Sequence, residues 1–281
     1  MSCEPYPVPY DKHMEMKPDI SDIYKTVHGL CLPMDVYLPK QKGWNNRIAV
    51  VCIHGGGWTT GISPESDWHG GDMVHQARYF SLLGYVGIAI SYRSLNNPDT
   101  DILDLIEDCK DAVRFIKANY TFIDTEKLVL LGDSAGAHLA ACLGISEDDS
   151  IRPAIVVACN PVLDCRSKFS YASVSEAHRQ AASPLVQVPQ KCASFLIING
   201  NRDQTTPVEN AIQFDANLKA YGFDSELIVL DGTAHAFILY DYHSSDDEVL
   251  QIMQIIHQYL QKKLNPNSED NARRIYGNRT L

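Results

Sequence analysis

The sequence predicts an α/β protein with a mostly parallel central sheet and helices on both of its faces. Apolar runs of strand length alternate along the chain with segments of helical length and helical spacing. Those runs are apolar throughout, as strands buried on both faces require, rather than apolar at every second position. A length of 281 residues suits one α/β domain with a sizeable core, so no second domain is needed. Right-handed crossovers between such elements gather the functional loops outside the carboxyl ends of the strands.

Residues 1–20 read as an irregular, proline-rich arm. Residues 23–38, punctuated by Gly29 and Pro33, predict two antiparallel edge strands, and 40–46 a polar loop. Residues 47–53 contain I-A-V-V-C-I, the first strongly buried strand, which runs into His54-Gly55-Gly56-Gly57-Trp58. The loop at 59–71 carries Trp68 and His69 and is expected near the mouth of a site. A helix follows at 73–83, a strand at 85–92 and an amphipathic helix at 101–119, with Ile102, Leu105, Ile106, Cys109, Ala112, Val113 and Ile116 on one stripe. Residues 128–131 are apolar throughout and lead through Gly132-Asp133-Ser134-Ala135-Gly136 into an alanine- and leucine-rich helix. A strand is expected at 154–159. The polar insert at 160–189 has the length of a small lid or pocket wall. A strand at 194–198, a helix at 207–221 ending near Gly222, a last strand at 226–230 and a closing helix at 246–264 complete the pattern. A polar tail occupies 265–281.

Composition narrows the function. Hydrophobic residues make up 45% and charged residues 21% of the chain, and the net charge of −11 argues against nucleic acid or anionic membrane as a partner, because phosphate recognition relies on clustered Lys and Arg. No apolar run has the length of a signal peptide or a membrane span, so a cytoplasmic location is expected. The eight cysteines show no C-x-x-C spacing and lie mostly in apolar segments, as buried thiols do in a reducing compartment. No metal or organic cofactor is implied.

The serine-centred turn carries the chemistry. A strand, a pentapeptide with glycine two residues on either side of Ser134, and a helix form a nucleophile elbow, which holds the hydroxyl out at the strand end. A serine hydroxyl is a poor nucleophile near neutral pH, so an imidazole must take its proton and a carboxylate must orient that imidazole. Asp203 and His235 each follow a strand by a short loop, and the chain order Ser134, Asp203, His235 is the one this elbow requires. Asp164 and Asp231 are rivals for the acid. Asp164 comes one crossover early, and Asp231 is better placed to shape the turn before His235. Among the other histidines, His54 is placed to fix the glycine run and His138 lies one helical turn after Ser134. The bare amides after the first buried strand suit the oxygen anion formed when an acyl carbonyl is attacked.

Together, H-G-G-G-W at 54–58, G-D-S-A-G at 132–136, G-N-R-D-Q-T-T-P-V at 200–208 and G-T-A-H-A-F at 232–237 resemble the α/β-hydrolase carboxylesterases, in the branch related to hormone-sensitive lipase. The resemblance extends over roughly residues 30–264 and implies the α/β-hydrolase fold with Ser134, Asp203 and His235 as triad. It also implies backbone amides of Gly56, Gly57 and Ala135 as oxyanion hole. The compact length is similar to that of bacterial carbohydrate esterases, which remove acetyl or feruloyl groups from plant polysaccharides. A short, proline-rich N-terminus departs from the helical cap of larger members and implies a small or absent cap.

The expectation is therefore a serine esterase acting through an acyl-enzyme on a small-molecule or oligosaccharide ester. Trp58, Trp68, Tyr171 and Phe237 are the candidate aromatic wall of its pocket. An aryl formamidase, suggested by the S-A-G-A-H-L segment at 134–139, would use the same three residues on an amide. A non-catalytic small-molecule receptor on the same fold is the alternative from another class, against which the retained His235 speaks.

Overall fold

The computed structural model describes residues 10–15, 17–40, 43, 45, 47–63, 73–166 and 174–265. These residues form one eight-stranded sheet in the order β1-β2-β4-β3-β5-β6-β7-β8. Strand β1 (Ile20–Val27) pairs antiparallel with β2 (Leu30–Tyr37), and β2 pairs antiparallel with β4 (Val86–Ile90). From there every pairing is parallel, through β3 (Ala49–Ile53), β5 (Val129–Asp133), β6 (Ile155–Cys159), β7 (Ser194–Gly200) and β8 (Ser225–Leu230). The sequence places two edge strands at 23–38, but only β1 is an edge; β2 lies inside the sheet, with Leu32, Met34 and Val36 fully buried.

Helices lie on both faces. The elements are α1 (Val74–Leu82), α2 (Ile102–Asn119), α3 (Ala135–Gly144), α4 (Glu176–Ala181), α5 (Val208–Ala220) and α6 (Asp246–Leu264). One core contains Ala49, Val51 and Ile53 of β3 with side chains of α2, α3 and α5, and the other contains Val50 and Cys52 of the same strand with side chains of α1 and α6. The same alternation runs through β7, where Phe195 and Ile197 face one layer and Leu196 and Ile198 the other. A strand with both faces covered must be apolar at every position, which is why these runs read as continuous.

The helix ends follow their sequences. Asp101 caps α2 and Ser245 caps α6, each in a reciprocal capping box with the acid three residues on, Asp104 and Glu248, so exposed amides of the first turn are satisfied. Residues 174–189 of the polar insert hold only the six-residue α4 and a single 3₁₀ turn. Among the described residues, no helix is long and apolar enough to cross a membrane.

Because β3 and β5–β8 run parallel, their carboxyl ends share one edge of the sheet. Residues leaving those ends are His54, Ser134, Asn160, Asn201 and Asp231, which sets the loops of the candidate site side by side.

Candidate active site

Ser134 sits between β5 and α3 with φ of 51°, in the left-handed region that a residue with a Cβ adopts only under constraint. The constraint is close packing of strand and helix. A Cβ on Gly136 would stand 2.0 Å from the Ile53 carbonyl oxygen, and one on Gly132 would stand 2.4 Å from the Gly136 carbonyl oxygen. Glycine at both positions lets α3 start directly against β3 and β5, which forces the turn at the serine.

Two loops converge on that turn. His235 Nε2 lies 2.8 Å from Ser134 Oγ, and His235 Nδ1 lies 2.7 Å from Asp203 Oδ2. The carboxylate accepts a hydrogen bond from Nδ1–H, which leaves the Nε2 lone pair to accept the serine hydroxyl. Asp203 Oδ1 accepts the backbone amides of Thr205 and Thr206, and its Oδ2 accepts the Thr206 hydroxyl at 2.6 Å. Burial pushes the Asp203 carboxyl up, but hydrogen bonds from His235 and Thr206 outweigh it and hold the group below its ordinary value. Asp203 therefore stays a carboxylate, fixed on both oxygens, facing the imidazole.

The rival acids lie elsewhere. Asp164 pairs with Arg166 in an exposed turn, and Asp231 Oδ1 accepts from Asn201 Nδ2, which braces the turn leading to His235. Thr206 was not legible as part of the site: a threonine three residues after Asp203 in a loop carries no signal until the fold closes its hydroxyl onto that carboxylate.

The glycine loop lies against the elbow. Oδ2 of Asp133 and Cβ of Ser134 would stand 2.8 and 3.2 Å from a Cβ on Gly55, and Gly56 and Gly57 have φ of 87° and 60°. His54 contacts the Gly55 carbonyl and the Ser91 hydroxyl and stacks on Tyr92, so the entry to the loop is braced from both sides. Ala135 is the first residue of α3, and an amide in the first turn of a helix has no intrahelical acceptor. Gly55 thus abuts the serine turn, and Ala135 follows the serine at a positive helix terminus.

The expected aromatic wall is corrected for two of its four members. Trp58 is buried because its indole N–H finds an interior acceptor, Nδ1 of His138, at 3.1 Å. Phe237 is fully buried in the core between the sheet and α6, where the left-handed turn at Ala236 directs it. Neither ring offers a face to a ligand. Trp68 and Tyr171 lie outside the described residues. His138, expected merely to follow the helix, donates through Nε2 to the Ala182 carbonyl and so joins the glycine loop to the segment after α4. Among the described residues no group of three His, Cys, Asp or Glu is placed to hold a metal ion.

A family profile described as the prolyl oligopeptidase family matches residues 103–265, more than half of the chain and the whole stretch carrying Ser134, Asp203 and His235. The chain belongs to the prolyl oligopeptidase family. A second profile, BD-FAE, matches residues 34–168, which include the glycine loop and the elbow. The isoprenylcysteine alpha-carbonyl methylesterase ICME of Arabidopsis thaliana is 24% identical over 262 residues, which cover 80% of this chain and 59% of that protein. Esterase LipC of Mycobacterium tuberculosis is 24% identical over 242 residues, 74% of this chain and 57% of that protein. This prolyl oligopeptidase family chain thus spans less than two-thirds of the length of these curated relatives. The thermophilic esterase Est2 of Thermogutta terrifontis superposes with a TM-score of 0.73 at 25% identity, covering 89% of this chain and 94% of that one. The fold is that of the α/β-hydrolase esterases.

Proposed function

We propose that this protein is a serine carboxylic ester hydrolase acting through an acyl-enzyme, on short acyl groups carried by small alcohols or sugars. The observation that carries the reading is the continuous hydrogen-bonded line from Asp203 through His235 to Ser134, 2.7 and 2.8 Å long at its two steps. His235 takes the proton of Ser134 as its oxygen adds to the ester carbonyl. Amides of Gly56, Gly57 and Ala135 stabilise the resulting oxyanion. His235 then gives the proton to the departing alcohol, and a water deprotonated by His235 releases the acid and restores Ser134.

The preference for short acyl groups draws support from structures of the Thermogutta esterase described with butyrate and with propionate bound. The sugar-linked alcohol, with acetyl or feruloyl as acyl group, rests on the resemblance of H-G-G-G-W and the compact chain to carbohydrate esterases.

Substituting Ser134→Ala and assaying p-nitrophenyl acetate tests the chemistry: a fall in kcat of about 10⁴-fold or more is expected, and near-normal turnover rejects the assignment. A panel of acetylated and feruloylated xylo-oligosaccharides, alkyl acetates to decanoates, an N-formyl anilide and an aminoacyl-proline anilide tests the substrate class. The highest kcat/KM belongs to an acetyl or feruloyl sugar on this reading; preference for the formyl or prolyl amide replaces it with a formamidase or a peptidase.

A further inference from the structure

Behind the reacting groups lies a buried side chain that touches none of them. Asn160 follows β6 directly and is fully buried. Its Nδ2 donates to Asp133 Oδ1 at 2.8 Å and to the Cys159 carbonyl at 2.7 Å, while its Oδ1 accepts the Ala236 amide at 2.9 Å. Asp133 immediately precedes Ser134, and Ala236 immediately follows His235. One side chain therefore ties the serine turn to the histidine turn, with both of its amide protons and its oxygen engaged.

The joined residues share an unusual backbone. Ser134, Asn160 and Ala236 have φ of 51°, 37° and 59°, a conformation that residues other than glycine hold only where their surroundings over-determine it. The tie also reaches a third loop, because the other oxygen of Asp133 abuts Gly55, where an added Cβ would stand 2.8 Å from it. An asparagine that only closed the end of β6 would need its contact with the Cys159 carbonyl and nothing more. The two remaining bonds run to the neighbours of the nucleophile and of its base.

We propose that Asn160 is a positioning residue for the hydrolysis, keeping Ser134 and His235 in register through Asp133 on one side and Ala236 on the other. This rests on the ester-hydrolase reading above. It acts on rate more than on binding, since its contacts govern the approach of two reacting groups and reach no substrate.

The experiment inverts the bond. Asn160→Asp keeps an acceptor for the Ala236 amide and a residue type tolerant of the left-handed backbone, but sets carboxyl against carboxyl at Asp133. On p-nitrophenyl acetate near about pH 8, kcat is expected to fall on the order of 100-fold with KM within about threefold of wild type. Two facing carboxyls share a proton as the pH falls, so the ratio to wild type narrows toward about pH 6. The double variant Asp133→Asn with Asn160→Asp restores a donor facing an acceptor and is expected to recover kcat to within about tenfold of wild type. A wild-type kcat and pH profile in Asn160→Asp, or a double variant no faster than it, overturns the proposal. Should Asn160→Asp fail to fold, Asn160→Gly keeps the backbone conformation and deletes both ties; it is expected to lose about tenfold or more in kcat, and full kcat there overturns the proposal equally. The two readings fail separately. Activity that survives Ser134→Ala removes the hydrolase itself, whereas Ser134-dependent activity indifferent to Asn160 removes only the positioning role.

Discussion

Asp203 shows how much of a site's chemistry depends on a residue's hydrogen bonds rather than on its identity. Four donors converge on its two oxygens, the Thr205 and Thr206 amides on one and the Thr206 hydroxyl and His235 on the other. Replacing Asp203 by Asn leaves the shape but offers an amide where the imidazole needs an acceptor, which favours the wrong tautomer of His235. A loss in kcat of about 10⁴-fold is expected from steady-state assays. Thr206→Val is a finer probe, because valine keeps the branched shape and the backbone amide while deleting only the hydroxyl. A hydrogen bond to a charged group contributes about 1.5–3 kcal/mol, so kcat/KM is expected to drop by roughly 10- to 100-fold. An unchanged kcat/KM would mean that the two backbone amides alone fix the carboxylate.

At the scale of elements, the elbow depends on the approach of α3 to β3. A Cβ at Gly136 meets backbone, the Ile53 carbonyl, rather than a flexible side chain, and nothing there yields without moving the strand. Gly136→Ala is expected to destabilise the fold by about 1–3 kcal/mol or more, read as a lower urea midpoint at unchanged slope. This element was legible because its chemistry is local: an apolar run, glycines at fixed offsets and a helix former after them specify the turn without tertiary information. The strands β3 to β7 were legible for a related reason, since burial on both faces writes itself as an unbroken apolar run. The place of β2 was not, because Leu32, Met34 and Val36 alternate with partly exposed neighbours, a pattern shared by edge strands and by inner strands next to an edge. Trp58 and Phe237 misled for a deeper reason. An aromatic residue beside a catalytic motif reads the same whether its ring faces a ligand or, as here, an interior acceptor or core. Asn160 gave no sign at all, since its partners Asp133 and Ala236 are 27 and 76 residues away and meet it only after the sheet has brought its strand ends together. Thr206 lies three residues from Asp203, and a loop threonine reads the same whether its hydroxyl turns inward or out.

The whole molecule carries a pH dependence to which two buried histidines in different core layers contribute, with half-buried His75 shifted the same way by burial. His138 on α3 is fully buried, and His257 on α6 is nearly so, with Tyr85 Oη 3.1 Å from its Nδ1. Burial pushes both down to about 4 from an ordinary value of 6.5; for His138 the bond to the Ala182 carbonyl opposes the shift without reversing it. Each imidazole is thus neutral in the folded protein where the unfolded chain would already protonate it. Between pH 6.5 and about 4 the unfolded state binds more protons, so stability is fully present above 6.5 and falls as the pH descends through this window. Each histidine contributes up to about 3 kcal/mol by this route, against a typical total of 5–15 kcal/mol for a domain. Carboxylates such as Asp203 act in a separate window, because theirs is lost only as the pH falls below the ordinary value of 3.8. Urea midpoints measured from about pH 7 to pH 4.5 should therefore decline before Asp203 begins to protonate. His257→Gln keeps an acceptor for Tyr85 and removes the titration, so its decline should be shallower by about one proton; a decline as steep as wild type would assign the acid sensitivity elsewhere. His138 adds a consequence for the site, since protonation of its Nδ1 removes the acceptor of the Trp58 indole. The glycine loop then loses its anchor to α3, and kcat should fall with stability at the acid end of the same window, even on an ester whose binding is unchanged.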